Sequence, residues 1–145
     1  MLLDLAGKTR FEVAFLVADG PDEIRRVSGS AVAQRLGGFI IGGGPVNNSH
    51  RQVVVDAVAA TRLPAVYPEL TFAEAGGILA YASDLREGYV RLAGYADRVL
   101  KGAKPADLPI EQSRTVQLVI NLKAARAQGI TIPQPLLLRA DEVIQ

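Results

Sequence analysis

Between Phe11 and Tyr67 the chain alternates short apolar runs with segments of helical period, and that order leaves few folds open. Phe11 to Ala18 reads as a strand: Phe11, Val13, Phe15 and Val17 line one face, while Ala14, Leu16 and Ala18 keep the other apolar. A strand apolar on both faces belongs in a sheet covered by helices on either side. Asp19-Gly20-Pro21-Asp22 predicts a turn and a helix start, after which Ile24, Val27, Ala31 and Val32 recur at helical spacings. Phe39 to Ile41 is a second short strand, residues 49 to 62 a second helix, and Ala65-Val66-Tyr67 a third strand. Strands separated by helices pair in parallel through right-handed crossovers, so the first half is α/β.

The second half has a different texture. Gly76-Gly77 precedes a short strand at Ile78 to Tyr81, and Asp84 with Glu87 three residues on predicts a capped helix start. Leu85, Tyr89, Leu92, Ala96, Val99 and Leu100 then form one apolar stripe closed by Gly102. An extended stretch is expected over 104–112, a strand over Val116 to Ile120, and a short helix over Leu122 to Gln128 stopped by Gly129. A last helical turn or two follows over Leu136 to Val143.

Composition removes several function classes. In 145 residues, sixteen basic and fifteen acidic side chains leave a formal charge of +1, which offers no footprint for nucleic acid or an anionic membrane. The absence of cysteine excludes disulfides, thiolate catalysis and cysteine zinc sites together. The start, Met-Leu-Leu-Asp-Leu-Ala-Gly-Lys, has no basic segment leading into a sustained apolar core, so no signal peptide is expected.

The turn Gly42-Gly43-Gly44-Pro45 after the second strand invites comparison with a dinucleotide fingerprint. That fingerprint needs a third glycine where Asn47 stands, although Glu69 lies about where its ribose-binding acid would fall. A nucleotide-binding α/β domain using Gly42 and Gly44 is therefore an alternative reading, behind a plain strand-to-helix turn at a ligand cleft. Gly7-Lys8-Thr9 resembles the end of a phosphate loop, but Leu2 replaces its first glycine. His50, the only histidine, cannot assemble a triad or a multi-histidine metal site. No catalytic residue, metal site or cofactor is expected. Tyr67 and Tyr81 each end a short strand, where open α/β sheets collect ligands. A cleft role and a core role are both open for them.

A more specific signal is spread over the second half. Leu63-Pro64-Ala65-Val66-Tyr67-Pro68, then Phe72 through Gly76-Gly77 to Tyr81, resembles the substrate-binding proteins of ABC importers, in the branch often labelled tryptophan/tyrosine-type. Tyr95 to Pro109, Leu118 to Ala125, Gly129 to Pro133 and Leu136 to Ile144 are also similar to that family. The resemblance implies a type I periplasmic-binding-protein-like α/β fold: a parallel sheet flanked by helices, present here as a second lobe plus the C-terminal return segment. It implies residues 1–82 as a partial ligand-binding lobe, and 83–145 as helix and C-terminal segments that pack on the other lobe or a partner chain.

By the same resemblance, a small solute such as an amino acid is held in an interlobe cleft and handed to an ABC permease outside the cytoplasm, with no chemistry done on it. The cleft residues it implies are Gly43, Gly44, Pro45, Val46, Asn47, Tyr67, Glu69, Tyr81, Ser83 and Asp84. Gly44 stands where family members usually carry an aspartate, and the resemblance implies longer relatives whose signal peptide and nearly all of the first lobe have no counterpart in this sequence. The stripe from Leu85 would then face a partner outside the chain, so a homo-oligomer, formed by exchange of C-terminal elements, is a further expectation. A structural remnant that binds nothing is the remaining alternative.

Overall fold

The structure, a computed structural model, describes residues 11–83, 85–110 and 115–145. Gly7-Lys8-Thr9, Asp84 and part of the expected extended stretch over 104–112 lie outside them. Helix α1, Pro21–Ala33, starts where the sequence places it: Gly20 is the N-cap, Pro21 opens the first turn, and Asp22 and Glu23 follow. Proline there loses no helical hydrogen bond, and the two acids face the positive end of the helix. Ile24, Ser28 and Ala31 recur at one face and are its buried residues. Strand β1, Phe39–Ile40, leads through the glycine turn to α2, Pro45–Ser49, and then α3, Arg51–Thr61. The single helix expected over 49–62 is thus two, starting earlier and parted at His50, whose φ of −109° and ψ of 30° break the helical run.

Arg62 in the left-handed region ends α3, and Leu63-Pro64 feeds strand β2, Ala65–Tyr67. Helix α4, Leu70–Glu74, is too short for a periodic signal, and the pattern gave no warning of it. Strand β3, Leu79–Ser83, runs into α5, Leu85–Leu100, and a 3-10 turn at Pro105–Asp107 follows. Strand β4, Val116–Asn121, α6, Leu122–Ala127, α7, Gln134–Leu137, and strand β5, Glu142–Ile144, complete the described chain. The helix expected to reach Val143 therefore stops at Leu137, and its end is a strand.

The five strands form one sheet in the order β1-β2-β3-β4-β5. β1 and β2 are parallel, as expected for strands linked by a helix, and β3 joins them in parallel through α4; β4 runs antiparallel to β3, and β5 is parallel to β4. Phe11 to Ala18 is corrected: it carries no strand pairing, and Phe11, Phe15 and Val17 are 75%, 65% and 79% exposed. Its alternation meets the propensity requirement for a strand, but a strand exists only when a neighbour takes up its backbone groups.

One face of the sheet holds most of the core, with Ile120 buried on the other. Ala65 and Tyr67 from β2 pack with Ile24, Val54, Val55, Val58 and Phe72, and Ala80 and Val119 continue the layer beside Ala73. Gly77 is required by this packing, because a Cβ there would sit 2.7 Å from the Tyr67 ring and 2.8 Å from the Phe72 carbonyl oxygen. The opposite face is open at Ile40, Tyr81 and Val116. Helix α5 has no buried residue at all, so its stripe of Leu85, Tyr89, Leu92 and Val99 faces outward. Among the described residues, no helix is long and apolar enough to cross a membrane.

Candidate functional site at the carboxyl edge of the sheet

Parallel strands that stop together leave their following loops side by side, and here the glycine turn after β1 meets the loop after β2. A Cβ on Gly43 would lie 3.7 Å from the Pro68 Cβ, so the two loops are in near contact. Asn47 closes the turn from within: its side-chain nitrogen donates to the Gly42 carbonyl oxygen at 2.8 Å. Val46 turns inward and packs on the core cluster, while Gly43 and Pro45 are exposed. Across the junction, the Asn48 side-chain nitrogen donates to Glu69 Oε1 at 2.6 Å. A carboxylate only accepts, so this bond fixes the Asn48 amide with its oxygen turned away.

Polar groups accumulate here without enough partners. Asn48 Oδ1, Arg51 Nε and Thr71 Oγ1 are buried atoms with no hydrogen-bond partner, and the remaining such atom among the described residues is Gln128 Oε1. Leaving one buried polar group unpaired costs about 1–3 kcal/mol, so groups like these ordinarily take a partner, ordered water included. The Arg51 guanidinium carbon lies 5.7 Å above the Phe72 ring, which holds that charge at the junction beside α4.

The two tyrosines part company. Tyr67 pairs in register with Ala80, so Tyr81, one residue further, points to the opposite face of the sheet. Tyr67 is 2% exposed and stacks on Phe72 with ring centroids 5.3 Å apart. Burial, and then the negative charge of Asp56, push its hydroxyl above the ordinary phenol range. The Tyr67 ring is thus part of the core beneath the loops. Tyr81 is 59% exposed and shares the open face with Ser83. Asp84 lies outside the described residues. Strand-end position alone could not separate these two tyrosines, since which face each takes depends on register.

The structure thus brings Gly43, Gly44, Pro45, Asn47 and Glu69 to one junction and adds Asn48, Arg51 and Thr71, which were not among the expected cleft residues. Asn48 and Arg51 stand at helix ends and Thr71 lies in a helix of five residues, positions that local period does not mark as a site. Among the described residues no group of three or more histidine, cysteine, aspartate or glutamate side chains could hold a metal ion. The arrangement can receive a small polar molecule through hydrogen bonds and charge.

Comparison with known proteins agrees with this architecture. The family model described as ABC transporter substrate binding protein matches residues 1–144. No curated protein matches the chain. Among solved structures, a conserved domain protein from Vibrio cholerae O1 biovar eltor str. N16961 is 25% identical with a TM-score of 0.85, over 98% of this chain and 48% of that one. The ABC domain in complex with L-Trp from Streptococcus pneumoniae is 28% identical with a TM-score of 0.84, over 97% of this chain and 49% of that one. The ligand-free, open structure of CD0873, a substrate binding protein with adhesive properties from Clostridium difficile, shares the fold at 17% identity, with a TM-score of 0.69 over 99% of this chain and 48% of that one. The chain spans about half the length of these solved structures. With a match that runs nearly from end to end, the chain belongs to the ABC transporter substrate-binding protein family, whose members bind substrates and are not enzymes.

Proposed function

We propose that this chain is the solute-binding part of an ABC importer and takes a small solute, such as an amino acid, at the carboxyl edge of β1, β2 and β3. The observation that carries this reading is the junction of the two loops, where Asn48, Arg51 and Thr71 keep buried polar atoms unpaired beside Glu69. Ligands of open α/β sheets sit outside the carboxyl ends of the strands, and that is where this polar set lies. The solute lies between this lobe and a second one, bordered by the Gly43-Gly44-Pro45-Val46-Asn47 turn, by Glu69, and by the strand end that carries Tyr81 and Ser83. Tyr67 supports the loops from the core. The filled protein works outside the cytoplasm and presents its solute to a membrane permease.

Residues 83–145 supply the surface for a second body. The stripe of α5 is apolar and outward-facing, and a second copy of the chain covers it. Calorimetry against aromatic and branched amino acids, run beside NAD and FAD, tests the binding reading. Heat from amino acids alone is expected. Heat from the cofactors alone would replace this reading with a nucleotide site, and silence throughout would leave a structural remnant.

A further inference from the structure

Several acids among the described residues sit in ion pairs. Asp22 pairs with Arg25, Glu23 with Arg26, Glu87 with Arg91 and Asp97 with Lys101. Glu69 is half-buried and accepts a hydrogen bond from the neutral amide of Asn48, and no cation among the described residues forms an ion pair with it. A partly desolvated carboxylate held by a neutral donor is left without an ion-pair partner, which an amide cannot replace.

The neighbouring orphan sharpens the chemistry. With its nitrogen committed to Glu69, Asn48 presents a buried oxygen that has no donor. Two acceptors, one of them charged, stand one amide group apart at the loop junction. The group that satisfies both is a compact cation with several N–H donors, and a primary ammonium has three. A neutral hydroxyl would meet the hydrogen-bond need of one acceptor and none of the charge.

We propose that Glu69, oriented by Asn48, anchors the ammonium group of the solute, so that the site selects primary amines over their des-amino counterparts. This rests on the solute-binding reading above and names the residue in it that determines specificity. Asn48 acts in two ways, through its oxygen as a second acceptor and through its nitrogen as the brace that keeps the carboxylate facing the loops.

The test compares L-tryptophan, L-phenylalanine and L-leucine with indole-3-propionate, 3-phenylpropionate and 4-methylpentanoate, on the full chain. The chain contains no tryptophan, so the emission of a bound indole reports directly, with calorimetry for the others. At least one amino acid is expected to bind ten times or more tightly than its des-amino partner. Glu69→Gln is expected to abolish that preference, and Glu69→Asp, which keeps the charge, to retain part of it. If amino acid and des-amino acid bind equally, or if Glu69→Gln keeps the preference in a folded protein, the anchor is wrong while the solute site stands. If none of the six probes binds, both are overturned.

Discussion

Tyr67 carries its consequences in a single hydroxyl. The ring is stacked on Phe72 under the loops, and Gly77 has no side chain because that ring occupies the space. Burial disfavours the phenolate, so the folded state holds the Tyr67 proton beyond the pH at which the unfolded chain gives it up. The sign follows from proton counting. Above the unfolded value of about 10, the unfolded state binds fewer protons than the folded one, and stability falls as pH rises. Wild type is expected to lose up to about 1.4 kcal/mol per pH unit above that point through this one group. Tyr67→Phe, which cannot ionise, should lack that component in denaturant titrations at pH 9 to 11, and equal losses in the two proteins would refute the argument. At this scale the sequence was ambiguous in an instructive way: Tyr67 and Tyr81 look alike at two strand ends, and only the pairing of Tyr67 with Ala80 sends them to opposite faces.

Among the elements, β4 and its neighbours are joined by one side chain. Asn121 ends β4 and caps α6: its oxygen accepts from the Ala124 backbone nitrogen at 2.8 Å, and its nitrogen donates to the Ala73 carbonyl oxygen of α4 at 2.9 Å. Its own backbone nitrogen meets the Ile78 carbonyl oxygen, so strand, cap and a neighbouring helix share a buried residue. Asn121→Ala is expected to destabilise the fold by about 1–3 kcal/mol, the loss of a cap together with a buried hydrogen bond. A shift in chemical-denaturation midpoint well under that range would show that the three elements do not depend on it.

The helices with clear ends were legible: Gly20-Pro21 opens α1, and Gly129, with φ of 72°, follows α6. The first and last described segments were not. Phe11 to Ala18 has the alternation but no partner, whereas Glu142–Ile144 lacks alternation and yet pairs with β4. What holds β5 in register is a bracket at its start: the Asp141 backbone nitrogen donates to the Leu118 carbonyl oxygen, and the Leu118 nitrogen donates to Asp141 Oδ2. A bracket across 23 positions leaves no mark in local periodicity.

For the whole molecule, the outward stripe of α5 is the dominant feature. Leu85, Tyr89, Val90, Leu92 and Leu100 are each more than half exposed on one helix, and Tyr81 lies on the open sheet face near its start. Fully burying one such side chain is worth about 1.5–3 kcal/mol, so a few of them covered together outweigh several kcal/mol of association cost. The second-copy reading therefore predicts a mass above the 15.4 kDa of one chain in light scattering at micromolar concentration. Leu92→Glu, in the middle of the stripe, should shift the population toward monomer by at least tenfold in dissociation constant. A wild-type chain that stays monomeric would remove self-association and leave a different second body as the cover.

The amino-acid sequence by itself determined the α/β class, the parallel pairing of β1 with β2, the absence of cysteine chemistry and the family resemblance. Each of these is carried by local period, by composition or by runs of matching residues. Only the tertiary structure decided which tyrosine is core, that the last segment is a strand, and that Asn48 and Glu69 meet across 21 positions. The physical reason is common to all three: strand register and loop contact are properties of pairs distant in the chain, and a one-residue change of register reverses every side chain without altering the local pattern.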